Sequence, residues 1–346
     1  MKKKNNEAVL IARHIYNWLN EYVSSTCLKS EHTKRTYEVT LSLYAKFLED
    51  KKGITPAKVS AECFSRIFVE EWIGWLKRVR GNSSETCNNR LASLRAFLKY
   101  LGSRETSMRY LSVETGNIPR MKSTRKKVHG LTKEAMQTLF AIPDTATAYG
   151  RRNLTLLAFL YGTAARISEV LSVRVNQLRL SSNKPHVTII GKGNKIRTLY
   201  LQPRIVMYLK RYIKEFHYDN YESEHFLFFS RNKGLDTSMT QEAVNKMLKK
   251  YAYKAHAQCK DVPYDLHCHN IRHAKASHWL EDGMNIVQIS LLLGHANLNT
   301  TMIYLDITTE QESKALATLE NEKDAKIDKK WKGKYESIAS SWGLKD

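Results

Sequence analysis

A mainly α-helical chain with one small β-sheet, folded as two domains, is the architecture the sequence predicts. Apolar residues recur at helical spacing over most of its length. One stretch of strand-forming residues brackets a glycine-rich turn, Gly191-Lys192-Gly193-Asn194, and reads as a β-hairpin. Between Gly102 and Gly130 the periodicity fades into Gly, Ser, Pro and basic residues, as a linker between two cores does. With 346 residues, 42% of them hydrophobic, the chain has the material for two such cores.

The first helices are marked by Ile11, Ile15, Trp18, Leu19 and Tyr22, then by Tyr37, Leu41, Tyr44 and Leu48, then by Leu91, Leu94, Phe97, Leu98 and Leu101. Spacing alone describes an ordinary helical bundle. Lys34, Arg35, Arg90, Arg95 and Lys99 lie among these apolar positions and add a basic face, which makes residues 1–112 a candidate nucleic-acid-binding domain. Residues 113–130 carry Arg120, Lys122, Arg125, Lys126 and Lys127 and read as the linker, either solvated or drawn along a polyanion.

The second domain spans 131–309. Thr132 is placed to cap its first helix, and Leu154 to Tyr161 form a buried helical segment. Val187, Ile189 and Ile190 enter the hairpin, and Ile196, Leu199 and Leu201 leave it. Further helices are expected around Ala243, Val244, Met247, Leu248 and Tyr251, from His269 to Leu280, and around Ile286, Ile289 and Leu293 ahead of the stop signal Gly294. Residues 310–346 hold a short helical pattern at Leu316 and Leu319 and then Lys-, Asp- and Glu-rich sequence, either a docking helix or a solvated tail. The chain has no internal repeat.

Lys and Arg number 56 against 34 Asp and Glu, a net charge of +22. Such an excess favours a polyanionic partner, because every phosphate neutralised releases counterions. No segment approaches the ~18 consecutive apolar residues of a membrane span. The basic start at Met1 to Lys4 is not followed by a secretory apolar core, so the expected setting is cytoplasmic. Five cysteines without a C-x-x-C pair (Cys27, Cys63, Cys87, Cys259 and Cys268) fit neither a disulfide framework nor a zinc ribbon.

Chemistry-bearing residues fall in five separated segments. They are Arg166 in TAARISEV, Lys192 in GKGNK, His269 and Arg272 in HNIRH, His295 in LLGH, and Tyr304 nine residues later. Guanidiniums fork onto the non-bridging oxygens of a phosphodiester and stabilise charge that builds up in its transition state. Histidines add hydrogen bonds and move protons, and a tyrosine with a pKa near ~10 attacks only if a neighbour takes its proton. Taken singly, each residue has a bland reading as a surface or ion-paired side chain; their order along the chain is the signal.

In that order and with those separations, the segments from Leu131 to about Thr309 resemble the signature boxes of the tyrosine recombinase, or phage integrase, family, of the Xer and transposon type. Thr33-Lys34-Arg35-Thr36-Tyr37 and Asn88 to Leu101 resemble the helical core-binding half of that family. The resemblance implies a SAM-like helical core-binding domain and a catalytic domain of the DNA breaking-rejoining enzyme fold. It implies site-specific recombination of double-stranded DNA through a 3′-phosphotyrosyl bond to Tyr304 and a four-way Holliday junction. Arg166, Arg272 and His295 would bind the phosphate, His269 would take the tyrosine proton, and Lys192 would protonate the leaving 5′ oxygen, with Lys195 the second choice. Glu169, matching an acidic position of the first box, would orient an arginine or a histidine. No cofactor and no metal are implied. A homotetramer on paired sites is expected, with an accessory protein or a second recombinase as a further partner and a C-terminal helix exchanged between subunits. DNA integration or transposition within a mobile element, phage integration and chromosome resolution all fit these residues. The lack of a separate arm-binding domain before the core-binding half leans toward a simple recombinase or transposon enzyme.

Two departures bear on this. The family carries a glycine two residues before the first arginine, where this chain has Ala164. His267, Cys268, His269 and His273 form the alternative of a metal site, with His269 and His273 at i, i+4, although the glutamate of H-E-x-x-H is missing. The alternative functions are a type IB topoisomerase and a catalytically silent DNA-binding protein; the latter has no use for Tyr304.

Overall fold

The computed structural model describes residues 2–26, 31–123, 131–191, 194–295 and 297–302. The chain divides into two compact units, Met1–Arg125 and Lys126–Asp346.

The first unit is a helical bundle of α1 (Lys2–Asn17), α2 (Glu31–Lys52), α3 (Arg66–Arg78), α4 (Ser84–Arg104) and α5 (Arg109–Gly116), with a π-helical stretch at Trp18–Thr26. Its core is aromatic. Trp18 stacks on Tyr37 with ring centroids 4.6 Å apart, Tyr44 stands edge-on to Trp72 at 5.0 Å, and Phe97 closes against Trp18 and Phe64. The Tyr44 hydroxyl, buried with these rings, donates to the Cys63 carbonyl at 2.6 Å, as a buried hydroxyl must. The buried polar side chains of α4 then extend the unit past the expected start of the linker. Asn88 bonds the Met121 carbonyl and amide, both at 2.9 Å, and Arg95 bonds the carbonyls of Thr115 (2.8 Å) and Ile118. Residues 113–121 therefore pack as part of the bundle, with Ile118 buried, where the loss of helical periodicity predicts linker.

The second unit contains α6 (Lys133–Ala141), α7 (Ala148–Thr163), α8 (Ile167–Ser172), α9 (Pro203–His217), α10 (Gln241–His256), α11 (Cys268–Glu281) and α12 (Ile286–Leu293). Among its described residues are two small sheets. One is the antiparallel β1 (Leu178–Arg179), β2 (His186–Ile190) and β3 (Ile196–Tyr200); the other is the ribbon of β4 (Phe229–Ser230) and β5 (Gly234–Ser238). The register pairs Ile190 with Ile196 and Val187 with Leu199, so the predicted hairpin forms, and its turn residues Lys192 and Gly193 lie outside the described residues. Thr132 caps α6 by accepting from the Ala135 amide at 3.1 Å. The core gathers Phe159 and Leu160 of α7, Val187 and Leu199 of the sheet, Leu209 and Ile213 of α9, Leu248 of α10 and Ile271 of α11. The central helices α7 and α11 are thus buried along most of their length, and α11 carries Arg272, His273, Lys275 and His278 into that interior.

Candidate active site

The site begins where α7 stops. Ala164 takes the left-handed conformation, φ 47° and ψ 23°, and its amide still bonds the Leu160 carbonyl at 3.0 Å. Ala164, standing where the resemblance expects a glycine, thus takes a backbone conformation that favours glycine. The left-handed step reverses the chain so that Arg166 stands at the head of α8, its amide donating to Glu169 Oε2 at 2.8 Å. It also turns the Ala164 carbonyl toward α11, where Arg272 Nη1 donates to it at 2.8 Å.

Arg272 is only 3% exposed. Its Nη2 donates to the Leu293 carbonyl at 2.7 Å and lies 3.1 Å from His295 Nε2. Gly294 ends α12 in the left-handed region, φ 64°, which sends His295 back over the helix end toward Arg272. Arginine has only donors, so His295 Nε2 accepts and Nδ1 carries the proton that goes to Thr301 Oγ1 at 2.7 Å. Arg166 is 39% exposed; its Nη1 reaches Glu169 Oε1 at 3.1 Å, and its Nη2 approaches the Gly294 carbonyl at 3.4 Å. His269 stands in the first turn of α11, its ring edge-on to His273 with centroids 4.1 Å apart.

Electrostatics follow from this geometry. Burial pushes the His295 imidazole down to about 4, and the charges of Arg272 and Arg166 add to the effect. His269 is lowered by burial, then by the same two arginines; His273 is lowered to about 4 by burial, then by His269 and Arg272. These histidines are neutral at pH 7, able to accept a hydrogen bond or a proton, while the guanidiniums of Arg166 and Arg272 keep the site positive. The metal alternative finds no support in the geometry. Among the described residues no three His, Cys, Asp or Glu side chains converge as ligands, and the Cys268 thiol, pushed up to about 12 by burial, bonds Asn245 Oδ1 at 3.2 Å.

Of the residues picked out from sequence, Arg166, Glu169, His269, Arg272 and His295 come together on the α7–α8 turn, α11 and the end of α12. Lys192, Tyr304, Arg125, Lys126, Lys127 and the segment 310–346 lie outside the described residues. Lys195 is exposed at the foot of β3. In the first unit Arg35 and Lys99 are exposed, Lys34 bonds Asn20 Oδ1 at 3.0 Å, and Arg90 bonds the Thr36 carbonyl at 3.3 Å and Thr40 Oγ1 at 3.1 Å. Arg95 turns inward onto backbone carbonyls, and its donors serve the bundle.

Two residues of the site escape the sequence reading. Arg197 on β3 forks onto Glu169, and Thr301, fully buried, holds His295. Arg197 left a signal: Leu199 and Leu201 point inward, so residue 197 shares their face, and a charge on an inward strand face calls for a partner. Thr301 left none.

The model of the phage integrase family matches residues 129–311, and that of the SAM-like N-terminal domain of phage integrases matches residues 16–105. Tyrosine recombinase XerC of Chlamydia caviae is 26% identical over 302 residues, covering 83% of this chain and 92% of the relative. Tyrosine recombinase XerD of Listeria monocytogenes is 26% identical over 287 residues, covering 81% and 89%. Among solved structures, the XerH site-specific recombinase in a post-cleavage complex with palindromic difH substrate superposes with a TM-score of 0.65 at 19% identity, covering 83% of this chain and 80% of that one. The Tn1549 transposon integrase with transposon right end DNA gives 0.65 at 16% identity, covering 87% and 98%. With a family model spanning more than half its length, and over the residues that build the site, this chain belongs to the phage integrase family.

Proposed function

We infer that the chain is a tyrosine-type site-specific DNA recombinase that cuts and rejoins duplex DNA through Tyr304. The observation that carries this is the convergence of Arg166, Arg272 and a neutral His295 on the end of α12: Arg272 Nη2 reaches the Leu293 carbonyl at 2.7 Å and His295 Nε2 at 3.1 Å, and Arg166 Nη2 approaches the Gly294 carbonyl at 3.4 Å. That set suits a phosphodiester whose non-bridging oxygens gain charge as a fifth ligand approaches phosphorus. The Tyr304 oxygen forms a bond to phosphorus and gives its proton to His269. The bond from phosphorus to the 5′ oxygen breaks, and Lys192 supplies that oxygen with a proton. The 3′-phosphotyrosyl ester conserves the energy of the broken bond, so a second 5′ hydroxyl reverses the step on a new strand without ATP.

Exchange between two sites requires four such centres, hence a homotetramer on paired duplexes passing through a four-way junction. The first unit, with Lys34, Arg35, Arg90 and Lys99, and the segment with Arg125, Lys126 and Lys127 supply backbone contacts along the DNA. The relatives include tyrosine recombinases XerC and XerD and a transposon integrase.

The test uses a nicked duplex bearing a site that the protein itself selects from random sequence, incubated in EDTA and resolved on a denaturing gel. A covalent protein–DNA band is expected from the parent and none from Tyr304→Phe, which still binds the duplex. If neither makes the band while both bind, the protein is a silent DNA-binding member of the family.

A further inference from the structure

Arg197 has no part in the chemistry assigned above, yet it is built into the centre of the site. Its side chain is 15% exposed and meets Glu169, itself 5% exposed, at two points: Nη1 to Oε1 at 3.1 Å and Nη2 to Oε2 at 2.7 Å. The same carboxylate accepts the Arg166 amide at 2.8 Å and Arg166 Nη1 at 3.1 Å. One buried carboxylate therefore serves two guanidiniums, and the shorter, two-point contact belongs to Arg197. Room for that contact is made by two glycines. A Cβ at Gly191 would lie 3.1 Å from both Arg197 Nη1 and Glu169 Oε1, and a Cβ at Gly294 would lie 2.9 Å from Arg197 Nη1. These glycines directly precede Lys192 and His295 in the chain.

A carboxylate left to Arg166 alone would close on it as a fixed counterion, and a phosphate would have to compete for the guanidinium. Bidentate arginine–carboxylate pairs are stronger than single contacts and fix orientation as well. We propose that Arg197 is a positioning residue for strand cleavage: by gripping Glu169 it leaves Arg166, 39% exposed, free to bind the scissile phosphate, while its guanidinium lies against both Gly191 and Gly294. Burial pushes the Glu169 carboxyl up, and the hydrogen bond from Arg197, the Arg166 amide and the charges of both arginines outweigh it, so the group stays ionised below the usual carboxylate range. The proposal rests on the reading of Arg166 as a phosphate ligand.

The experiment is single-turnover cleavage of the nicked duplex by the full chain, with duplex binding and circular dichroism as checks on folding, and a ¹³C titration of the Glu169 carboxyl as a readout that needs no catalysis. Arg197→Met is expected to slow cleavage on the order of tenfold, with binding retained and the Glu169 titration moved upward. Arg197→Lys, which keeps the charge and loses the fork, falls between. The decisive variant is Arg197→Met with Glu169→Gln. Neutralising the stranded carboxylate releases Arg166 and recovers much of the lost rate, which repair of a purely structural defect does not do. If Arg197→Met cleaves within about twofold of the parent, or the double variant is no faster than the single one, Arg197 has no such role. A parent that forms no covalent product at all would remove the recombinase reading and this proposal with it, a result distinct from a parent that cleaves and an Arg197→Met that cleaves equally well.

Discussion

At Ala164 a backbone requirement and a side-chain requirement meet in one residue. The left-handed region costs an L-residue about 1–2 kcal/mol, which explains why glycine suits this position. The methyl group is fully buried against Ala276, Ile289 and Leu293, and burying it returns about 0.8 kcal/mol. Glycine would also add freedom to the unfolded chain, at about 0.4–1 kcal/mol. The terms nearly cancel. Ala164→Gly is therefore expected to change stability by less than about 1 kcal/mol and to keep cleavage activity. Ala164→Val places a β-branched residue where neither the conformation nor the packing admits it, and should cost about 2–3 kcal/mol. Because the Ala164 carbonyl orients Arg272 at 2.8 Å, Ala164→Val should slow cleavage as well. Urea unfolding of the two variants checks this; an Ala164→Val protein as stable as the parent would refute the account.

At the scale of elements, legibility followed the strength of the local pattern. The helix at Cys268–Glu281 and the hairpin of His186–Ile190 and Ile196–Tyr200 announce themselves, one by HNIRH and its apolar continuation, the other by β-branched residues around glycines. The helix at Pro203–His217 carries an equally plain signal, with proline at its first turn and Ile205, Leu209 and Ile213 four apart, and was legible in principle. The ribbon of Phe229–Ser230 and Gly234–Ser238 was not, because its first strand has two residues and its second, with Gly234 and Asp236, lacks the β-branched apolar alternation of the hairpin. Nor was the end of the first unit. Residues 113–121 lack helical periodicity because polar side chains hold them: Asn88 and Arg95 supply donors to their carbonyls, and no apolar pattern records that. The same feature misleads about Arg95, whose charge in sequence suggests a DNA contact while its guanidinium caps the end of α5. Arg95→Ala should leave the Thr115 and Ile118 carbonyls without their charged donor and cost about 1.5–3 kcal/mol. Faster amide hydrogen exchange across residues 109–121 is the expected mark, and unchanged exchange there would show that Arg95 is dispensable to the bundle.

Over the whole molecule, the second unit concentrates histidines that folding keeps neutral. His217, His269, His273, His278 and His295 are all shifted below the ordinary value of 6.5, and burial is the largest cause in each, with His273 and His295 brought to about 4. The unfolded chain, whose imidazoles titrate near 6.5, thus binds more protons than the folded one as pH falls below that value. Stability is present in full above about pH 6.5, declines as pH falls toward 4, and levels off for these groups only when the folded histidines protonate too. Glu169 acts in the same sense further down, since a carboxylate held low by Arg197 and Arg166 loses its contribution as it is protonated. Denaturant midpoints at pH 7, 6 and 5 should fall in that order, and His273→Gln should shrink the fall by removing one of the most strongly shifted groups. Duplex DNA enters the same linkage. Phosphate beside Arg166 and Arg272 offsets their charges at His269 and His295 but not the burial, so saturating DNA should reduce the acid loss without abolishing it. A stability that is level between pH 7 and 5 would mean that these histidines are hydrated in solution and that the neutral His295 inferred for phosphate binding is wrong.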